Sequence, residues 1–227
     1  MEQRVEREKR ITWAEIGEAI KNNYAGPAGH LIRALMQSAE RFGQRDSLGQ
    51  HWAVRISRLF TDITVRGTSE EGIRFIPGLF SWSRTLAYGK QVGATPNGRL
   101  AQAPINHGAN PMPGAVKNGE LTALSEAIAA VQCGRGNTAP FQLELDPGVT
   151  ENEGGIELVM ALLETHLKRG GTLININIVD AEKIRDAHLH PEQYPDLVVR
   201  VTCFTAYFMT LSPEFRQLVV DRLLTAG

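Results

Sequence analysis

The chain has 227 residues, long enough to bury a sizeable core, and its apolar fraction of 42% is that of an ordinary globular protein. A formal net charge of −1 gives no electrostatic case for nucleic acid or an anionic membrane surface. No apolar run approaches the ~20 residues that span a bilayer, the N-terminus lacks the apolar core of a signal peptide, and two cysteines, Cys133 and Cys203, supply neither a disulfide framework nor a metal cluster; the expected setting is a reducing cytoplasm.

In chain order, residues 2–10 are a mixed charge run that reads as a solvated, frayed leader. Thr12-Trp13-Ala14-Glu15 has capping-box spacing and opens a helix over about 12–23, with Trp13, Ile16 and Ile20 at helical intervals. Gly26-Pro27-Ala28-Gly29 reads as a break, followed by a helix over about 30–42 that Gly43 ends. A third helix is predicted from Asp46 as N-cap, carrying Trp52, Ile56, Leu59, Phe60 and Ile63 inward. From 73 to 92 Ile73, Phe75 and Phe80 sit among Gly and Ser, and strands are expected. Residues 93–119 form a Gly-, Pro- and Asn-rich loop, longer than connections in compact domains usually run. A helix over 121–131, a strand at 141–145 and a helix over 157–168 with Ile156, Val159, Met160, Leu163 and Leu167 on one stripe come next. The segment Leu173-Ile174-Asn175-Ile176-Asn177-Ile178-Val179 is a strand with an apolar and an amide face. Asp180 caps a helix to about 189, 197–202 is a strand, and Ser212-Pro213 opens a last helix to about 224. Strands alternating with helices make the fold α/β.

Four blocks and a tail carry a family resemblance. The blocks are Gly93-Ala94-Thr95-Pro96-Asn97-Gly98-Arg99, His107-Gly108-Ala109-Asn110-Pro111, Gly170-Gly171-Thr172-Leu173-Ile174-Asn175-Ile176-Asn177, and His190-Pro191-Glu192-Gln193-Tyr194-Pro195-Asp196-Leu197-Val198-Val199-Arg200-Val201. The tail is Asp196-Leu197-Val198-Val199-Arg200-Val201-Thr202-Cys203-Phe204-Thr205-Ala206-Tyr207-Phe208. It resembles the signature loop of the glycyl radical enzymes, the group that includes pyruvate formate-lyase, whose pattern is Arg-Val-x-Gly-[Tyr/Phe]-x-Ala-x-Phe. Arg200, Val201, Phe204, Ala206 and Phe208 fit it; Cys203 stands where the family stores its radical on Gly. The wording Phe204-Thr205-Ala206-Tyr207-Phe208 is similar to the sulfonate-cleaving branch, such as isethionate sulfite-lyase.

The resemblance implies the C-terminal part of a pyruvate formate-lyase-type barrel: half-barrel strands, surrounding helices and a radical loop. It divides the chain into a helical region at 1–66, barrel strands with the Gly/Pro/Asn-rich loop at 67–119, and a glycine-radical domain at 120–227. In the family an iron–sulfur activating enzyme using S-adenosylmethionine takes a hydrogen from the loop Gly. The glycyl radical then generates a thiyl on a facing loop, and the thiyl cleaves a C–C, C–S, C–O or C–N bond of a small polar or anionic substrate. Its members are commonly homodimeric. Gly suits the task because its alpha radical is planar and delocalised into both peptide groups, which a side chain would twist.

Carried over, Cys203 is the radical position, and Thr95, Asn97, Arg99, Arg200 and Phe204 support the loops. Arg74, among apolar neighbours, is a candidate for holding a carboxylate or sulfonate, or a strand-edge residue in a structural ion pair. Asn175 and Asn177 either line the barrel or face solvent, and His107 braces its loop or acts as an acid. The catalytic-Cys loop of the family is not among these residues, and Cys133 lacks its context. With Cys203 in place the chain is expected to be inactive alone: a degenerate fragment, a substituted one, or a site with sulfur chemistry of its own. A different class of function is a non-catalytic spare radical domain that docks onto a full-length homologue or a separate N-terminal part. No bound cofactor and no metal are expected.

Overall fold

The computed structural model describes residues 1–81, 83–116, 121–131, 138–201 and 204–223. The helices are α1 (Trp13–Lys21), α2 (Gly26–Gln37), α3 (Leu48–Arg66), α4 (Thr85–Gly89), α5 (Leu121–Ala130), α6 (Gly148–Glu151), α7 (Gly155–Lys168), α8 (Ala181–Leu189) and α9 (Pro213–Leu223). The strands are β1 (Pro140–Leu145), β2 (Leu173–Ile178), β3 (Val198–Arg200) and β4 (Thr205–Tyr207). The fold is α/β. Contacts gather the chain into two compact units, residues 1–40 with 84–105 and residues 41–83 with 106–227. α3 falls in the second unit, where its Ala53 and Val54 pack against the core of β1 and α5.

In the first unit, α1 begins where the sequence places it: Thr12 accepts from the Glu15 amide, and Glu15 reaches back to the Thr12 amide. α2 starts earlier than predicted. Gly26-Pro27 does not break a helix but begins one, since a Pro in the first turn has no amide to leave unpaired. The charged leader is also ordered. Residues Glu2–Arg7 form a helical turn, and Arg4 is buried, donating to the Ser38 carbonyl and hydroxyl, each at 2.8 Å. The core is Ile11, Ile16 and Met36, with Val5, Ile20 and Leu35 beside them.

The long loop of this unit is braced from within. Gly98 closes a turn onto Thr95 and adopts φ +87°, and a Cβ there would lie 2.8 Å from Gln37 Cγ. Tyr24 donates to the Thr95 carbonyl and Arg33 to that of Gly98, both at 2.8 Å.

In the second unit β1 and β2 form a parallel pair with Pro140 opposite Leu173 and Leu145 opposite Ile178. Phe141, Leu143, Leu145, Ile128 and Ala139 build one core, to which α3 contributes Ala53 and Val54 and α7 contributes Val159 and Leu162. Burying Phe141 alone is worth about 1.5–3 kcal/mol. A second core joins Ile184, Val199, Val201, Phe208, Val219 and Leu223. Asp180 caps α8, accepting from the Glu182 and Lys183 amides.

Four expectations fail. α3 is capped by Ser47, while Asp46 sits at φ +56°; and the apolar residues read as inward, Trp52, Ile56, Leu59, Phe60 and Ile63, are all exposed, Ile63 at 63%. The buried face of α3 is instead its Ser57 and Thr61 side. On α7 the predicted stripe is likewise split, with Ile156, Met160 and Leu167 exposed. The strands expected over 73–92 do not form among the described residues. That stretch holds one isolated bridge, Thr68 with Arg74, and then α4. Among the described residues no neighbouring strand completes a ladder there.

Candidate functional site

The parallel pair inverts the ordinary sorting of side chains. Successive residues of a strand point to opposite faces. On β2 the inward face carries Asn175 and Asn177, while Ile176 and Ile178 look out. Gln142 lies opposite Asn175 and Glu144 opposite Asn177 in the register, and all four are buried. Buried amides and a carboxylate call for partners; Arg200 of the tail supplies them to the Asn175 and Asn177 oxygens, and Asn177 and Arg222 supply them to Glu144.

β3 and β4 form an antiparallel hairpin, pairing Val198 with Tyr207, Val199 with Ala206 and Arg200 with Thr205. The Val201 amide donates to the Phe204 carbonyl at 3.0 Å, joining the residues on either side of 202–203. Arg200 is held at every polar group. Its amide donates to Asn177 Oδ1 at 3.2 Å, and its guanidinium donates to Asn175 Oδ1 at 3.3 Å and Thr205 Oγ1 at 3.2 Å. Its carbonyl accepts from Arg222 of α9 at 2.9 Å, and the Val201 carbonyl accepts from the same guanidinium. Arg222 in turn faces Glu144, Nε to Oε1 at 3.1 Å, an ion pair rather than an aligned hydrogen bond, and Glu144 also accepts from Asn177 Nδ2 at 2.7 Å. Burial pushes the Glu144 carboxyl up, with the Arg222 charge and the Asn177 bond opposing; burial pushes Arg222 down, with Glu144 opposing. A groove of about 490 Å³ runs between β2 and the hairpin, with Asn175, Asn177, Arg200 and Thr205 along it.

The outer edge of β1 is covered by the His107-Gly108-Ala109-Asn110 segment. The Asn110 side chain accepts from the Gln142 amide at 2.7 Å and donates to its carbonyl at 3.0 Å, standing in for a strand. Gly108 makes this approach at φ +51°, with a Cβ excluded 2.5 Å from the Pro140 carbonyl oxygen. His107 is buried, and among the described residues neither ring nitrogen has a hydrogen-bond partner. Burial first and the Arg222 charge second lower its pKa to about 3, so the ring is neutral. It does not brace its loop by hydrogen bonds, and a ring so resistant to protonation is a poor acid.

The other sequence-derived residues fall as follows. Cys203 lies outside the described residues, as does Cys133. Arg200 belongs to the hairpin, and Phe204 borders 202–203, partly exposed. Thr95, Asn97 and Arg99 form a separate cluster in the first unit: the Thr95 hydroxyl donates to Asn97 Oδ1 at 2.6 Å, and buried Arg99 donates to the carbonyls of Ala103, Val92 and Gly93. Arg74 is exposed, so it carries no unpaired buried charge. Glu144 and Arg222 were not singled out from sequence; their signal was a charged residue in an otherwise apolar strand, and an Arg set among Leu218, Val219, Val220 and Leu223. A further buried pair, Ser125 Oγ and His166 Nδ1 at 3.0 Å, is fully enclosed against Phe141 and has no substrate access. Among the described residues no group of three or more His, Cys, Asp or Glu is placed to hold a metal ion, and no helix is long and apolar enough to cross a membrane.

Comparison with known proteins meets this geometry at both ends of the chain. Residues 105–209, which contain the hairpin and most of its socket, match the family model described as glycine radical, and residues 1–89 match that of pyruvate formate lyase-like proteins. The chain belongs to the glycyl radical enzymes of pyruvate formate-lyase type. Among its curated relatives, isethionate sulfite-lyase of Oleidesulfovibrio alaskensis is 27% identical over 95% of this chain and 26% of its own length. The probable dehydratase YbiW of Escherichia coli is 29% identical over 92% of this chain and 27% of its own. The solved structure titled "1,2-propanediol Dehydration in Roseburia inulinivorans; Structural Basis for Substrate and Enantiomer Selectivity" superposes with a TM-score of 0.86 at 28% identity, over 97% of this chain and 28% of that one. The chain therefore spans about a quarter of the length of the relatives it matches.

Proposed function

We propose that these residues are the C-terminal, radical-domain portion of a glycyl radical lyase or dehydratase, and that as written they do not turn over substrate by themselves. The observation that carries the reading is the hairpin that brackets 202–203, tied by its Arg200 amide to buried Asn177 of β2 and by its Arg200 and Val201 carbonyls to buried Arg222 of α9. A device that fixes the strands on either side of a loop suits one that must shelter a reactive centre. The residue at its tip does not fit that centre: Cys203 has a side chain on the alpha carbon, where the family radical needs a planar, uncrowded Gly.

In this reading the radical would be installed by a partner, an S-adenosylmethionine iron–sulfur activating enzyme, in the cytoplasm, and only with Gly at 203. The sulfonate-cleaving branch is the substrate class favoured by the tail wording. Arg74, exposed on the 67–80 stretch, would meet a substrate anion only against the rest of a barrel. Thr95, Asn97 and Arg99 would hold the barrel-entry loop.

A second reading, a radical-domain partner that docks onto a full-length homologue, is favoured by one observation: the apolar row Ile56, Leu59, Phe60 and Ile63 on α3 is exposed in this chain. One experiment serves both. The chain and its Cys203→Gly variant are added, anaerobically and with activating enzyme, to a full-length homologue whose own radical loop has been cleaved. Restored turnover by Cys203→Gly alone is the expected result. Product formed by the unaltered chain would overturn the inactive reading, and rescue by neither would remove the partner reading.

A further inference from the structure

We propose that Arg222 is a positioning residue for the tail loop: anchored on Glu144, its guanidinium clamps the last two carbonyls before 202–203 and so fixes where that loop leaves β3. The inference rests on the reading of 200–208 as the radical loop, but its test does not require a radical.

The geometry is specific to Arg. One guanidinium reaches two successive carbonyls, those of Arg200 and Val201, with two of its nitrogens, and turns the third toward the Glu144 carboxylate at 3.1 Å. The group is buried, as is Glu144. In a site that excludes water, a charged donor to a carbonyl is stronger than a neutral one, and replacing it exposes both carbonyls to loss of their partner. The Arg200 residue is gripped from the other side by Asn177, which is itself fixed by the same Glu144. Strand exit, final helix and sheet are therefore one closed circuit through a single carboxylate. Among the described residues the hairpin has three paired positions. Its backbone ladder is too short to fix the exit alone, and the clamp supplies the remaining constraint. The α9 helix thus acts as the holder of the loop.

Hydrogen exchange of the whole chain, read by mass spectrometry, separates positioning from stability. In Arg222→Met the amides of Val199 and Val201 are expected to exchange at least tenfold faster, while those of Leu143 and Leu145 in the parallel pair keep their rates. Arg222→Lys, which keeps the charge beside Glu144 but cannot span two carbonyls, is expected to fall between. A merely structural role would accelerate both sets in step, and that result, or unchanged rates at 199 and 201 in a folded variant, overturns the proposal. Should both variants fail to fold, the unaltered chain carries the test in mild urea. Protection at 198–201 and at 213–223 is then expected to be lost in one step, before that of β1 and β2. Loss of 213–223 with 198–201 still protected would contradict the clamp.

Discussion

The α3 helix and the β1–β2 pair break the usual inside–outside rule in the same direction, burying polar side chains and exposing large apolar ones, but they differ in what completes them. On α3 four large apolar side chains, Ile56, Leu59, Phe60 and Ile63, stand exposed while Ser57 and Thr61 are buried. On the sheet Gln142, Glu144, Asn175 and Asn177 are buried while Ile176 and Ile178 stand outside. The difference lies in who completes the contacts. Asn175, Asn177 and Glu144 of the polar face are engaged within the chain by Arg200 of the hairpin and Arg222 of α9, whereas the apolar faces stay exposed among the described residues. The first is a self-contained device; the second is a surface with an open requirement, in a chain that spans about a quarter of its relatives' length.

The largest expected effect lies in the socket. Glu144→Ala leaves the buried Arg222 without its counter-charge and should cost about 3–5 kcal/mol in urea unfolding; a loss below about 1 kcal/mol would mean that the circuit contributes little. Next comes pH. His107 is held neutral to a pKa of about 3, against about 6.5 when unfolded. Between these values the unfolded chain binds a proton that the folded chain rejects, so stability rises with pH across that window and falls on acidification. The slope from His107 is about 1.4 kcal/mol per pH unit below about pH 6. His107→Gln should flatten the curve by that amount relative to the unaltered chain. The smallest pair of effects sits on α3. Ser47→Ala removes the N-cap that accepts the Gln50 amide at 3.0 Å and should cost about 1 kcal/mol. Leu59→Asp on the exposed row of the same helix should change stability by no more than about 0.5 kcal/mol, yet abolish any docking onto a homologue. A large loss of stability from Leu59→Asp would show that this face is already covered.

Local chemistry was legible in the sequence where the signal itself is local. The Thr12 box, the Asp180 cap and the Ser212-Pro213 opening all sit where spacing places them, because a cap is satisfied within one helical turn. Pro27 was misread for the same local reason: a Pro ends one helix and starts another with equal ease, and only the flanking packing decides. Which face of α3 or β2 turns inward was not legible, since periodicity defines faces but not their neighbours. Residues 73–92 are rich in strand formers, but strands need partners to pair with. The tail motif identified the loop; Glu144 and Arg222, which hold it, come from a strand and a helix far apart in sequence and are joined only by the fold.

The central claim, that the tail is a radical-bearing loop whose one defect is the residue at 203, is tested most directly by electron paramagnetic resonance. The Cys203→Gly chain, activated anaerobically with an S-adenosylmethionine iron–sulfur activating enzyme of the family, should give a glycyl doublet that the unaltered chain does not. A folded Cys203→Gly chain that stays silent, with the same enzyme activating a full-length homologue in parallel, would contradict it.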